Sequence, residues 1–172
     1  MEKFLGEMKY FIELTANRLI DLPDTEKQLN KDPDNWSPIE ILGHLVDSAC
    51  NNHRRFILAQ FKDDLVFDGY EQDKWTSSQN YYTEDWLSLV SLCPKDPLEK
   101  FYNLHIVHLC NQIPQNILEL KRASHNLNEI SWKKIDKNTP ATLEYLITDY
   151  FGHLKHHIAQ VFSMFDKDST RV

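Results

Sequence analysis

Apolar residues recur at three- and four-residue intervals in four stretches of the chain, the period of a helix that buries one face. Phe4, Met8, Phe11, Ile12, Thr15 and Leu19 form the first stripe and predict a helix over residues 2 to about 22, closed by Leu22-Pro23-Asp24. Residues 24–35 are polar, contain Pro33 and read as a connection. Trp36-Ser37-Pro38-Ile39-Glu40-Ile41 is a helix start: Ser37 suits the N-cap, Pro38 the first helical position, and Glu40 completes a capping box. Trp36 and Ile41 sit where a hydrophobic staple would form. This second helix is expected to run to about residue 61, with Ile41, Leu45, Ala49 and Phe56 inward.

Residues 62–82 show no such period and read as a long connection mixing acidic and aromatic residues, a kind of loop that often carries function. Within it, Phe67, Tyr70 and Trp75 either seal one end of the core or touch substrate. A third helical region opens at Thr83-Glu84-Asp85-Trp86, is interrupted between Cys93 and Pro97, and restarts with Asp96 as cap. It continues through Tyr102, His105 and Leu109 to about residue 112, with His105 in the middle of the apolar stripe. Residues 115–138 read as a return connection, with a short helical piece between Asn116 and Arg122 and Trp132 as an anchor. Thr139-Pro140 is expected to open the last helix, which runs to about residue 165 on a ridge of Leu143, Ile147, Tyr150, Leu154, Ile158, Val161 and Phe165. Four long helical regions and no strand pattern predict an all-α chain. One domain spans 1–165, followed by a polar tail over 166–172.

Composition narrows the partners. The net charge of −7 gives no bulk attraction to nucleic acid or to an anionic membrane. Only four glycines occur, too few for a turn-rich β fold or a glycine-rich phosphate loop. Cys50, Cys93 and Cys110 are scattered and odd in number, so neither a disulfide framework nor a thiolate zinc site is indicated. Reduced cysteines fit a cytoplasmic setting. No stretch reads as a signal peptide or a membrane span.

The candidate chemistry lies in the histidines. His153 and His157, at i and i+4 on the last helix, fall on nearly one face and could bind one metal ion together. His156 points further round. Both paired histidines lie beside the buried ridge, and His44 occupies the same kind of margin on the second helix. Metal sites in helical bundles are built from inward side chains of facing helices. The second helix can then supply His44, which could equally be a hydrogen-bonded residue at the core margin, and the last helix His153 and His157. Three neutral imidazoles would leave open positions for reaction. Asp149, one turn before His153, is placed to orient a ligand. Imidazole must be neutral to ligate, so metal loading is expected to weaken as pH falls through about 6.

Three segments resemble one family. The run from Trp36 to Ser48, containing His44, is similar to the second-helix motif of the DinB-like superfamily. Tyr70-Glu71-Gln72-Asp73-Lys74-Trp75 resembles the tyrosine–aspartate–tryptophan loop of one branch, and Tyr150 to Gln160 resembles its C-terminal His-x3-His helix. The resemblance covers roughly residues 1 to 165, except that paired prolines between Cys93 and Pro97 interrupt a helix the family usually keeps whole. It implies a four-helix bundle with long connections, often a homodimer, holding a divalent metal through His44, His153 and His157. It also implies metal-dependent transfer chemistry using low-molecular-weight thiols, or hydrolysis.

Two classes of metal-binding function follow, beside the plainer reading that the histidines bind nothing and the chain is a helical interaction module. In the first, a divalent ion, with zinc, nickel or iron foremost and copper also suited to nitrogen ligands, activates a thiol cosubstrate for S-transfer to a small electrophile. The same ion with water would give a hydrolase. Asp47, Asn51, Tyr70 and Gln160 are the candidates to position that small-molecule substrate. In the second class the protein is a non-catalytic metal-binding or stress-response bundle, its site closed by a fourth ligand such as His105 or His156.

Overall fold

A computed structural model describes residues 1–22, 35–91 and 102–168. Among the described residues, eight α-helices and one short 3-10 helix follow one another and no strand occurs. They are α1 (Glu2–Ile20), α2 (Pro38–Leu58), α3 (Gln72–Gln79), the 3-10 turn Tyr81–Thr83, α4 (Trp86–Ser91), α5 (Tyr102–Gln112), α6 (Gln115–Leu118), α7 (Leu127–Ile130) and α8 (Leu143–Asp168). The all-helical expectation holds, while the helix-continuity question between Cys93 and Pro97 lies outside the described residues.

The two longest helices, α2 and α8, pack on one another, and α1 packs on α4 and α5. Local chemistry sets where α2 begins. The Glu40 carboxylate accepts the Ser37 backbone N–H at 2.9 Å and the Ser37 hydroxyl at 2.7 Å, which fixes the entry as expected. The start of α8 differs from expectation. Thr142, not Thr139, accepts the Tyr145 N–H through its hydroxyl at 3.1 Å, because Ala141 is already committed to backbone pairing with Arg122. The whole ridge from Leu143 to Phe165 is buried. Phe56 and Phe151 are fully enclosed with Leu5, Met8 and Ile41, each such side chain contributing about 1.5–3 kcal/mol by leaving water.

The stretch between α2 and α4 is not the plain connection its sequence suggests, since it contains α3 and the 3-10 turn. Only Thr76 is buried in α3, so the segment carries no apolar stripe to reveal it. Asn80 ends α3 with φ 51°, a left-handed conformation that asparagine tolerates. His105 is also placed otherwise than expected. It is exposed, and α5 turns Ile106, Val107 and Cys110 inward instead.

The connection after α2 is stitched to the one before α8. The Arg122 guanidinium donates to the Ala59 carbonyl at 2.9 Å, while its backbone exchanges both hydrogen bonds with Ala141. The Asn126 side chain mimics a strand partner, accepting the Phe67 N–H at 3.1 Å and donating to the Phe67 carbonyl at 2.8 Å. These ties satisfy backbone groups that run outside any ladder. They also hold two connections together as one side of a cavity against α2 and α8.

Candidate metal centre

His44 projects from the first half of α2 and is completely buried, deeper than the margin its sequence position suggested. His153 and His157 project one turn apart from the facing helix α8, His153 buried and His157 half-buried. The ring centroids are 5.1 Å apart for His44 and His153, 5.0 Å for His44 and His157, and 4.5 Å for His153 and His157. One nitrogen from each ring lies within 4.8 Å of the others, so the three form a group that could hold a metal ion.

Distance supports that fit. His44 Nε2 and His153 Nε2 stand 3.2 Å apart. Two nitrogens on a tetrahedral ion, each bonded at roughly 2.0–2.1 Å, are about 3.3 Å from one another. The pair thus matches one edge of such a polyhedron, and the third nitrogen, on the least buried ring, lies within 4.8 Å of both.

The electrostatics favour neutral rings with free lone pairs. Burial pushes the His44 pKa down to about 4, with repulsion from His157 adding to it. Burial and then the three neighbouring histidines push His153 down to about 3. His157 is lowered less clearly, because burial is opposed by its bond to Gln160. His157 Nδ1 donates to Gln160 Oε1 at 3.0 Å, which leaves the Nε2 lone pair to a metal, as metal-bound histidines commonly require. His44 Nδ1 departs from that habit: it is buried with no hydrogen-bond partner among the described residues, and the Trp36 ring lies 4.8 Å from its own.

Gln160, expected to meet substrate, is thus placed on a candidate ligand. The Asp47 carboxylate accepts from Gln79 Nε2 at 2.9 and 3.0 Å and from the Tyr81 hydroxyl at 3.0 Å. Asn51 donates to the Asp47 carbonyl at 2.9 Å. Tyr70 does border the site, with its hydroxyl pushed up to about 12, first by burial and then by Asp47. Asp149 does not bond a ring. Its two oxygens accept the backbone N–H groups of Trp132 at 2.8 Å and Lys133 at 2.7 Å.

That clamp positions one wall of a cavity of about 340 Å³, into which His153 and His157 face. Trp132 is half exposed and lies over His156, with ring centroids 5.4 Å apart. Ser48, Asn52 and Arg55 from α2 form another wall. The sequence places Ser48 and Arg55 on the same margin of α2 as His44 but does not mark Asn52, although it lies one turn past Ser48. A second histidine group, His53 with His105 and His108, lies on α2 and α5, with centroids at 5.3 and 6.3 Å. Its nitrogens do not converge as those of the first group do.

No helix among the described residues is long and apolar enough to cross a membrane. The chain matches no protein-family model, no curated protein and no solved structure.

Proposed function

We propose that this chain is a divalent-metal-dependent enzyme of the DinB-like superfamily, its longer helices forming a four-helix bundle, and that it transfers a low-molecular-weight thiol to a small electrophile. The observation that carries the reading is the 3.2 Å approach of two histidine nitrogens from facing helices, with a third beside them. The order of the three motifs supports the family. The open coordination positions support reaction over storage, because neither His105 nor His156 joins the group among the described residues.

A divalent ion held there would lower the pKa of an adjacent thiol or water and so supply a nucleophile near neutral pH. The protein's own part is to keep three imidazoles neutral by burial and to aim them from two rigid helices. It also walls the reacting volume with Tyr70, Asn52 and the segment clamped by Asp149. In S-transfer the thiolate sulfur forms the new bond to carbon, the leaving group departs with its electron pair, and the thiol proton passes to solvent. Hydrolysis is the second reading, favoured by the polar groups that line the cavity beside the histidines.

The test offers zinc- or nickel-loaded protein a panel of thiols with a chromogenic electrophile, and separately an ester. Thiol-dependent release of the chromophore supports the transferase. Ester cleavage without thiol turnover moves the assignment to hydrolase, and loss of neither activity in His153→Ala overturns the site.

A further inference from the structure

Arg55 is a buried cation that the reading above does not use. It lies three turns beyond His44 on α2 and is 5% exposed. Its guanidinium donates to the Asp68 carbonyl at 2.8 Å and, at a longer 3.5 Å, to Asn52 Oδ1. Both acceptors are neutral, and no carboxylate lies within ion-pair distance of it among the described residues. Burial lowers its pKa, and Tyr70 and Asp68 only oppose that effect. A guanidinium nevertheless stays charged in a protein. Buried charges are normally paired, and removal from water without a partner is costly.

Arg55 also lines the cavity that His153 and His157 enter. We propose that this cavity binds a small carboxylate-bearing molecule, with its anionic end paired to Arg55 and its reacting end directed at the histidines. The reacting end rests on the metal-enzyme reading above; the anion subsite does not. The planar fork of arginine suits a carboxylate bidentately. A single negative charge fits better than a phosphate dianion, because the charged groups of the lining, Arg55 and Lys134 against Glu129 and Asp149, carry no net positive charge.

The probes are 6-mercaptohexanoate and its neutral counterpart 6-mercaptohexanol, titrated calorimetrically into zinc-loaded protein. Hexanoate and hexanol are titrated into metal-free protein. The acid is expected to bind at least tenfold more tightly than the alcohol in both forms. Arg55→Gln should abolish that preference while zinc content and affinity for the alcohol stay unchanged. Equal binding of acid and alcohol to the wild type, or a preference that survives in Arg55→Gln, overturns the subsite. Inorganic phosphate binding more tightly than hexanoate overturns the carboxylate assignment. Should Arg55→Gln fail to fold, Arg55→Lys removes the fork and keeps the charge. The preference should then fall at least threefold, and an unchanged preference overturns the role of the guanidinium. Protein that takes up no zinc yet shows an Arg55-dependent preference for hexanoate supports the subsite and overturns the metal reading alone.

Discussion

His44 Nε2 and His153 Nε2 meet at 3.2 Å although 109 positions separate them in the chain. Their approach requires α2 and α8 to pack face to face. It follows that the histidines should be separable from the fold. Each of His44→Ala, His153→Ala and His157→Ala is expected to lower metal affinity by at least about tenfold, the scale on which even residues behind a ligand act. Far-ultraviolet circular dichroism should stay near the wild-type value. Equal metal content in wild type and all three variants, measured on untagged protein, would count against the site.

Acid should weaken the metal-free protein through these same rings. In the unfolded chain His44 and His153 take up protons around the ordinary value of 6.5, whereas in the fold they resist to about 4 and about 3. The unfolded state therefore binds more protons between those limits, and stability falls as pH drops from 6.5 towards 3. The His44 contribution is on the order of 3 kcal/mol over its window. Urea unfolding at a series of pH values should show this fall, and His44→Gln should flatten it.

Metal loading should outlast the limit expected for ordinary imidazole. The depressed values of His44 and His153 move proton competition below pH 6. A loading midpoint at or above 6, read by metal analysis after gel filtration, would show that the rings are less enclosed than their placement indicates.

Asp149 ties the Trp132–Lys133 backbone to α8 one turn before His153. Asp149→Ala leaves two N–H groups without their acceptor and should cost about 1–3 kcal/mol. Hydrogen exchange at the amides of Trp132 and Lys133 should accelerate, while metal affinity changes less than in the histidine variants. Unchanged exchange at those two amides would refute the clamp.

Asp47 offers a contrasting case. Its carboxylate holds Gln79 and Tyr81, and the Tyr81 ring presses so closely on α2 that a Cβ added at Gly43 would come within 2.2 Å of it. Asp47→Ala and Gly43→Ala should each lower the melting temperature, the latter by overpacking that costs about 1–3 kcal/mol. Zinc stoichiometry, measured at a temperature where both variants are folded, should be unaffected by Asp47→Ala.

Helices with a strong apolar period were legible in the sequence. The α8 ridge and the Ser37–Glu40 cap needed only local information. The three histidines were legible because two share a helical turn and the third sits beside a capped amphipathic start. What escaped depended on tertiary placement. α3 carries one buried residue, so no period betrays it. His105 lies in an apolar sequence, yet α5 is rotated so that Ile106, Val107 and Cys110 take the core side. Asp149 could be assigned to a histidine from spacing alone, but the backbone of Trp132 and Lys133 arrives from outside the helix to claim it. Arg55 shares the His44 margin of α2 in the sequence, but its full burial depends on the connection that carries Asp68.

The clamp of histidines from two distant helices has a further consequence. A cation gripped at once by position 44 and position 153 is a reversible cross-link that closes a loop of 109 residues. By the chain-entropy account, a covalent tie of that span removes about 5 kcal/mol of freedom from the denatured chain. A tie that breaks with the unfolding that releases its ion would act instead through binding linkage, growing only with the logarithm of one plus free ion over dissociation constant. The availability of a trace metal would then set how long the chain survives heat or proteases.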